Sequence, residues 1–289
     1  MGFLCIDIGG TNTLFGVGNG DFELVDKRKS SEFLEDVEGT VKDILSNSQI
    51  EKIEDVAVAA AGPIDREKGV FYPPNIDEEK INLVEPLENF GDVSLINDCT
   101  SAVIGEHEYG GHDVDNLVYL TISSGIGAGT VIDNNVLEGA AGNFGEVGHM
   151  VLEEDGLECG CGGNGHWEAY CSGNSLPEMA REVTGERFED ALEVFRSYRE
   201  GDPHAEQVIQ RMQDMNALAV SKIVNLYNPE KIVLGGAVAL NHPETVVEPL
   251  QEMVEEESVN EVPEIEKCAL GERAVLHGLR GVCNGSYNS

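Results

Sequence analysis

Apolar and polar positions follow two periods along this chain, and the switches between them mark out strands and helices. Residues 3 to 8, FLCIDI, form an apolar run broken only by Asp7. GGT, LFGV, GNGDF and ELV follow, predicting strand, glycine turn, strand, tight turn, strand. The same order returns at 117 to 122, LVYLTI, before SSGIGAG, TVID, NN and VLEG. A shift of 114 positions superposes Asp7 on Thr121, Gly10 on Ser124 and Val17 on Val131 without a gap. Two related domains are therefore expected, each opening on a β-meander.

An α/β pattern fills the space between the meanders. Phe33, Leu34, Val37, Val41, Ile44 and Leu45 predict a helix over 32–46, and VAVAAAG at 56–62 and VSLIN at 93–97 read as buried strands. TSAVIGEHEY, which follows, reads as a helix. From 204 to 228, Val208, Met212, Met215, Ala219 and Ile223 share one helical face, and the helix should stop before Pro229. Strand KIVLGG at 231–236 and a last helix over 271–283 complete the pattern, with no linker or low-complexity segment.

Metal-type ligands concentrate in GEVGHM, 145–150, and ECGCGGNGHWEA, 158–169. His149, Cys159, Cys161 and His166 supply two imidazoles and two thiolates, a set that can close a tetrahedral structural zinc site. Intervening glycines let a short loop wrap one ion. Glu146 and Glu168 bracket the knot, and a metal site of this kind has no evident need of them. A loop that merely happens to carry cysteines is the plainer alternative. The seven cysteines suit metal binding in a reducing compartment better than a disulfide framework.

The glycine turns suggest a second chemistry. In DIGGTNT, Gly9, Gly10 and Thr11 can aim backbone N–H groups and a hydroxyl into one concavity suited to phosphate oxygens. Asp7, at the strand end, sits where a magnesium ion bridging phosphates needs a carboxylate, reached through water. SSGIGAG offers a second such turn. Asp98 follows a strand and opens a helix, where an N-cap is the plain reading.

Charge narrows the partners. Eighteen Lys and Arg stand against 54 Asp and Glu, a net charge of −36 spread along the whole chain. Molar salt shortens the Debye length to about 3 Å and quenches such repulsion, so a salt-rich cytoplasm is the expected setting. Nucleic acid is not expected as a partner, because no Lys/Arg cluster is present. No apolar run reaches the roughly 20 residues that span a bilayer, and the N-terminus lacks a basic signal region, so no membrane partner and a cytoplasmic location are expected.

Together, DIGGTNT, AGP at 61–63, PPN at 73–75, ND at 97–98, SSGIGAG, GEVGH and CGCGGNGHWE resemble the motif series of the ROK family of sugar kinases, in order and spacing, over about residues 3 to 240. The resemblance implies an α/β class fold: a duplicated actin-like (ribonuclease-H-like) ATPase fold, two domains around a central cleft that takes the sugar. Residues 1–112 with about 271–289 would form the smaller domain, and 113–270 the larger one, with the zinc knot and the helical part. It further implies ATP with Mg2+ as phosphoryl donor, a hexose acceptor, structural Zn2+, and a homodimer or homotetramer. By similarity Asp98 is the general base. Gly62, Asn75, Asn97, Asp98, Glu146, His149 and Glu168 match sugar-binding positions, which gives the bracketing carboxylates a purpose. Asp7, Gly9, Gly10, Thr11, Asn12, Ser123, Ser124, Gly125, Gly235 and Gly236 match nucleotide positions. Two departures stand out: His166 replaces the family's third cysteine, with Cys171 nearby as a substitute, and Ser123 replaces a glycine of the second turn. Glucose is the expected sugar, with an N-acetylhexosamine or another hexose as the alternative. A sugar-sensing regulator is less expected, since only six residues precede Asp7 and such regulators carry an N-terminal DNA-binding domain.

Overall fold

The computed structural model describes residues 2–72 and 80–286 and divides into two compact units. The first comprises Met1–Asp113, Val136–Phe144 and Arg273–Ser289; the second comprises Val114–Asn135 and Gly145–Glu272. The excursion Val136–Phe144, which the sequence reading leaves with the larger domain, is tied into the first unit. Asn143 accepts the Ile64 N–H at 2.7 Å and donates to the Ile64 carbonyl at 2.8 Å, and Arg66 pairs with Glu138.

The first unit is built on β1 (Gly2–Ile8), β2 (Asn12–Asn19), β3 (Asp21–Lys29), β4 (Ile53–Ala60) and, further on, Asp92–Asn97, in the order β3-β2-β1-β4 with Asp92–Asn97 outermost. Three two-residue strands, β5 (Ile64–Asp65), β6 (Val70–Phe71) and β7 (Ile81–Asn82), form a separate small sheet, which makes Asp92–Asn97 β8. Side chains alternate across β1, and both faces are covered. Leu4, Ile6 and Ile8 join a core with Phe15, Phe33, Val41 and Ile44, while Phe3 and Cys5 pack with Ile104, Leu276 and Leu279. Asp7 shares the parity of Phe3 and Cys5.

The expected helix over 32–46 is two helices, α1 (Ser30–Glu35) and α2 (Val37–Ser46). Asp36 breaks the run because its side chain accepts the Gly39 N–H at 2.9 Å and caps α2. After β8 comes α3 (Asp98–Tyr109), crossed closely by the C-terminal helix, Ala274–Cys283. The crossing needs glycines. A Cβ on Gly105 would lie 2.1 Å from the Ala274 carbonyl oxygen, and one on Gly278 would lie 1.7 Å from that of Ser101. Ser101 Oγ also donates to the Val275 carbonyl at 2.8 Å.

The second unit repeats the sheet. Its strands β9 (Leu117–Ile122), β10 (Ile126–Ile132), β11 (Asn135–Val136), β12 (Lys231–Gly235) and β13 (Glu264–Lys267) run in the order β11-β10-β9-β12-β13. In both sheets the first strand pairs antiparallel with the second and parallel with the fourth. The gapless superposition requires a correction. Ile8 pairs with Thr13 across residues 9–12, but Ile122 pairs with Ile126 across 123–125 only. The second turn is one residue shorter, so beyond it Val17 corresponds to Thr130 and not to Val131.

Helices α4 (Glu168–Cys171), α5 (Leu176–Thr184), α6 (Ala191–Arg199), α7 (Pro203–Tyr227), α8 (Ala237–Asn241), α9 (Pro243–Val246) and α10 (Leu250–Glu255) complete this unit. α7 begins where Asp202 accepts the His204 and Ala205 N–H groups and ends at Asn228, whose φ of 44° is left-handed. Val208, Met212, Met215, Ala219 and Ile223 lie in the unit's core beside Trp167 and Leu120. No helix among the described residues is long and apolar enough to cross a membrane.

Candidate active site

The β1–β2 turn presents the first cluster of candidate residues. Gly9 N–H closes it on the Asn12 carbonyl at 3.1 Å. Ser30 clamps it from α1: its N–H donates to the Thr11 carbonyl at 3.0 Å and its Oγ to the Gly9 carbonyl at 2.6 Å. No acceptor among the described residues is recorded for the successive amides of Gly10 and Thr11. A Cβ on Gly10 would meet nothing within 4 Å, so the fold itself does not require glycine there. A bare backbone over open space suits close approach by a phosphate.

Asp7 ends β1 behind this turn. Burial, reinforced by the charge of Asp98, pushes its carboxyl up to about 7. Asp98 is the first residue of α3, and burial raises its carboxyl too, against the downward pull of the Cys99 N–H donating to Oδ1 at 2.8 Å. The capping task falls to its neighbour. Asn97 Oδ1 accepts the N–H groups of Cys99 at 2.9 Å and Thr100 at 3.1 Å, and Asn97 is only 3% exposed. The cap of α3 is therefore Asn97, and Asp98, which shares only the Cys99 N–H, is a part-exposed carboxylate with a raised pKa, the state that suits a general base. Two mutually repelling carboxylates are also a donor set that fits Mg2+, which takes oxygen ligands.

The β9–β10 turn is the counterpart. Ser123 N–H donates to the Gly125 carbonyl at 2.9 Å and Gly173 N–H to the Ser123 carbonyl at 2.7 Å. The Ile126 N–H is taken by Glu168 Oε2 at 2.8 Å. Ser124 and Gly125 keep amides for which no acceptor is recorded among the described residues, as in the first turn. Gly235 and Gly236, at the end of β12, are required by the protein itself. A Cβ on Gly235 would lie 2.2 Å from the Tyr119 hydroxyl, and Gly236 has a φ of +84° and backs onto the Ile122 carbonyl.

The metal-type residues converge as their spacing suggests. The ligand atoms of His149, Cys159, Cys161 and His166 all lie within 4.8 Å of one another. Cys161 Sγ is 3.2 Å from His166 Nδ1, and Cys159 Sγ is 3.9 Å from His149 Nδ1. Tetrahedral zinc with its usual bond lengths separates such atoms by roughly 3.3–3.8 Å, so this donor set fits zinc after a small contraction. Folding of the knot depends on Gly165, where φ is +69° and a Cβ would lie 1.7 Å from the Glu153 carbonyl oxygen. Bridges pair Val151 with His166 and Glu158 with Asn164. Beneath them Trp167 is fully buried, its indole N–H donating to Asn216 Oδ1 at 2.8 Å. Cys171 is no substitute for His166: it is buried in the core with its thiol on the Met212 carbonyl at 3.4 Å, and burial drives its pKa up.

Glu146 and Glu168 flank the knot, with Glu146 Oε2 3.9 Å from His149 Nε2. Gly62 stands before Pro63 in the loop after β4. Asn75 lies outside the described residues, as does the PPN motif. Two contributions escape the sequence reading: the Ser30 clamp, and the glycine crossing that seats α3 and with it Asp98. Neither has a local signal, since Ser30 lies 21 positions from Gly9 and the crossing joins residues such as Ser101 and Val275, 174 positions apart.

Comparison with known proteins identifies the family. The ROK family model matches residues 3–282. A glucokinase from Pyrobaculum calidifontis is 40% identical over 190 residues, a match that spans 65% of this chain and 64%, just under two thirds, of that relative. A ROK hexokinase structure from Thermus thermophilus superposes with a TM-score of 0.84 at 30% identity, covering 96% of each chain. A ROK family glucokinase from Streptomyces griseus, solved with glucose and AMPPNP, superposes with a TM-score of 0.81 at 25% identity, over 99% of this chain and all of the other. With its duplicated actin-like α/β fold and a family match over nearly its whole length, this chain belongs to the ROK family.

Proposed function

We propose that the protein is a sugar kinase that transfers the γ-phosphoryl group of ATP to a hexose, with glucose as the preferred acceptor and glucose 6-phosphate as the product. The observation that carries the reading is Asp98, a part-exposed carboxylate with a raised pKa at the start of α3, where Asn97 is the cap, set beside Asp7 at the end of the strand that leads into the glycine turn. Phosphoryl transfer asks a protein mainly for positioning and charge stabilisation. Asp98 accepts the proton of the attacking sugar hydroxyl, the sugar oxygen bonds to the γ-phosphorus, and ADP departs. Gly9, Gly10, Thr11 and Asn12 of one turn and Ser123, Ser124 and Gly125 of the other hold phosphate oxygens through their amides and hydroxyls, and Gly235 and Gly236 approach the adenosine.

Asp7 would hold Mg2+ through water; the ion supplies positive charge to the phosphates. Gly62, Asn75, Asn97, Glu146, His149 and Glu168 receive the sugar hydroxyls. His149, Cys159, Cys161 and His166 bind a structural zinc that orients His149 toward the sugar. The protein works as a homodimer or homotetramer in a salt-rich cytoplasm, without nucleic acid or membrane partners.

A coupled ADP-release assay in molar KCl across glucose, mannose, fructose, N-acetylglucosamine and N-acetylmannosamine tests the acceptor. Glucose is expected to give the highest kcat/KM; preference for an N-acetylated sugar would move the protein to that branch of the family. Asp98→Asn should lower kcat by at least about 10³-fold, with glucose binding by calorimetry nearly unchanged. A near-normal kcat in that variant refutes Asp98 as base.

A further inference from the structure

The two glycine turns share a plan but not a clamp. The first is held by a neutral side chain, Ser30, whose hydroxyl and amide bind the Gly9 and Thr11 carbonyls. The second is held by a carboxylate. Glu168 Oε2 accepts the Ile126 N–H at 2.8 Å, and a Cβ on Gly125 would lie 2.7 Å from the same oxygen, so the side chain is wedged against the turn. A charged acceptor on an amide makes a stronger hydrogen bond than a neutral one.

Glu168 is itself part of a rigid base. It follows His166 by two residues, and the Ala169 N–H donates to the His166 carbonyl at 3.0 Å, closing the first turn of α4 directly onto the knot. Trp167, between them, is pinned by its buried bond to Asn216. Oε1, the oxygen not used by Ile126, lies 4.0 Å from Cys159 Sγ. From the knot to the turn the path is therefore His166, Glu168, Ile126, closed by one hydrogen bond. Ser172 N–H to the Glu168 carbonyl at 3.2 Å and Gly173 N–H to the Ser123 carbonyl at 2.7 Å fasten the far end of α4 to the same turn.

We propose that Glu168 is a positioning residue for the nucleotide: by holding the Ile126 amide it fixes the 123–126 turn so that the Ser124 and Gly125 amides stay open to phosphate, and it ties that geometry to the metal knot. This rests on the kinase reading and adds a role to Glu168 beyond contact with sugar. One carboxylate serves both, with Oε2 committed to the turn and Oε1 left for a hydroxyl. Metal occupancy at His149, Cys159, Cys161 and His166 then tunes nucleotide affinity, although none of the four need touch nucleotide.

Calorimetric titration with magnesium and AMPPNP, in the absence of sugar, separates the two roles. Glu168→Ala should weaken AMPPNP binding by about tenfold, the size expected for loss of one charge-assisted hydrogen bond. Glu168→Gln keeps an oxygen that can accept the Ile126 N–H and should stay within about twofold of wild type for AMPPNP, while losing glucose affinity. Wild type stripped of metal by a chelator should also bind AMPPNP more weakly, and stripping should add little to Glu168→Ala, because both act through one element. Amide hydrogen exchange at Ile126 gives a readout independent of ligand: faster in Glu168→Ala and in stripped wild type, unchanged in Glu168→Gln. Unaltered AMPPNP affinity in Glu168→Ala, with only glucose affinity lost, overturns the proposal. If Glu168→Ala does not fold, Ile126 exchange in wild type with and without chelator decides the point, and equal rates count against it. A wild-type protein that fails to bind AMPPNP at all refutes the kinase reading beneath it.

Discussion

Ionising Asp7 works against the ligand-free fold. Its carboxyl titrates near 7 in the folded chain and near 3.8 when unperturbed. The folded state therefore favours the protonated acid. Below the unperturbed value both states are protonated and nothing is lost; between about 4 and 7 stability falls as pH rises, and above 7 the full cost persists. A shift of that size corresponds to at most about 4 kcal/mol. Asp7→Asn should accordingly raise the unfolding free energy of the ligand-free protein at pH 8, leave it nearly unchanged at pH 4, and abolish activity. Equal effects on thermal unfolding at the two pH values would contradict this account. Stability conceded at such a position is what a binding carboxylate is expected to cost. Asp98 and Asn97 show how far single residues could be read. From the residues alone a helix cap was the plain reading of Asp98; that Asn97 takes both the Cys99 and Thr100 amides while Asp98 takes only that of Cys99 is a matter of backbone geometry at the β8–α3 junction.

Helices and strands were legible wherever burial imposed a clean period. β1, β4, β8, β9, β12 and α7 lie within a few residues of the apolar runs that announce them. The failures have local causes. One polar side chain, Asp36, divides a continuous apolar stripe into α1 and α2, because a cap bond to Gly39 outweighs propagation through that residue. The repeat was visible, but its register across the glycine turn was not, since similar residues flank both turns and only the ladder fixes the one-residue deletion. The knot was the most legible element of the site, because ligand spacing within a short loop limits where its atoms can go. Its fold still hangs on backbone conformation. Gly165→Ala places a methyl 1.7 Å from the Glu153 carbonyl oxygen at a positive φ, so the loop must open. Zinc content by elemental analysis should fall from about one per chain to well below half, with the helical circular dichroism preserved. Full metal retention would show that the knot tolerates another conformation.

On the scale of the whole molecule, charge dominates. A net −36 on 289 residues, with only 18 basic side chains to pair with 54 acids, leaves most surface carboxylates to repel one another. At 0.01 M salt that repulsion reaches about 30 Å, and at 1 M about 3 Å. Thermal unfolding should shift upward by about 10 °C or more between 0.05 and 2 M KCl, and a transition independent of salt would remove the inference of a saline cytoplasm. The sequence by itself determined the α/β class, the duplication, the cysteine and histidine quartet and the two glycine turns, because each is written in short-range spacing or in composition. Only the tertiary structure decided that Asn97 and not Asp98 caps α3, that Val136–Phe144 packs with the first unit, that Gly105 and Gly278, far apart in the chain, let two helices cross, and that Glu168 joins the knot to the second turn. Those are contacts between residues tens to hundreds of positions apart, or choices between neighbours with the same chemistry. Chain periodicity carries no record of either; they are settled by which surfaces close packing brings together.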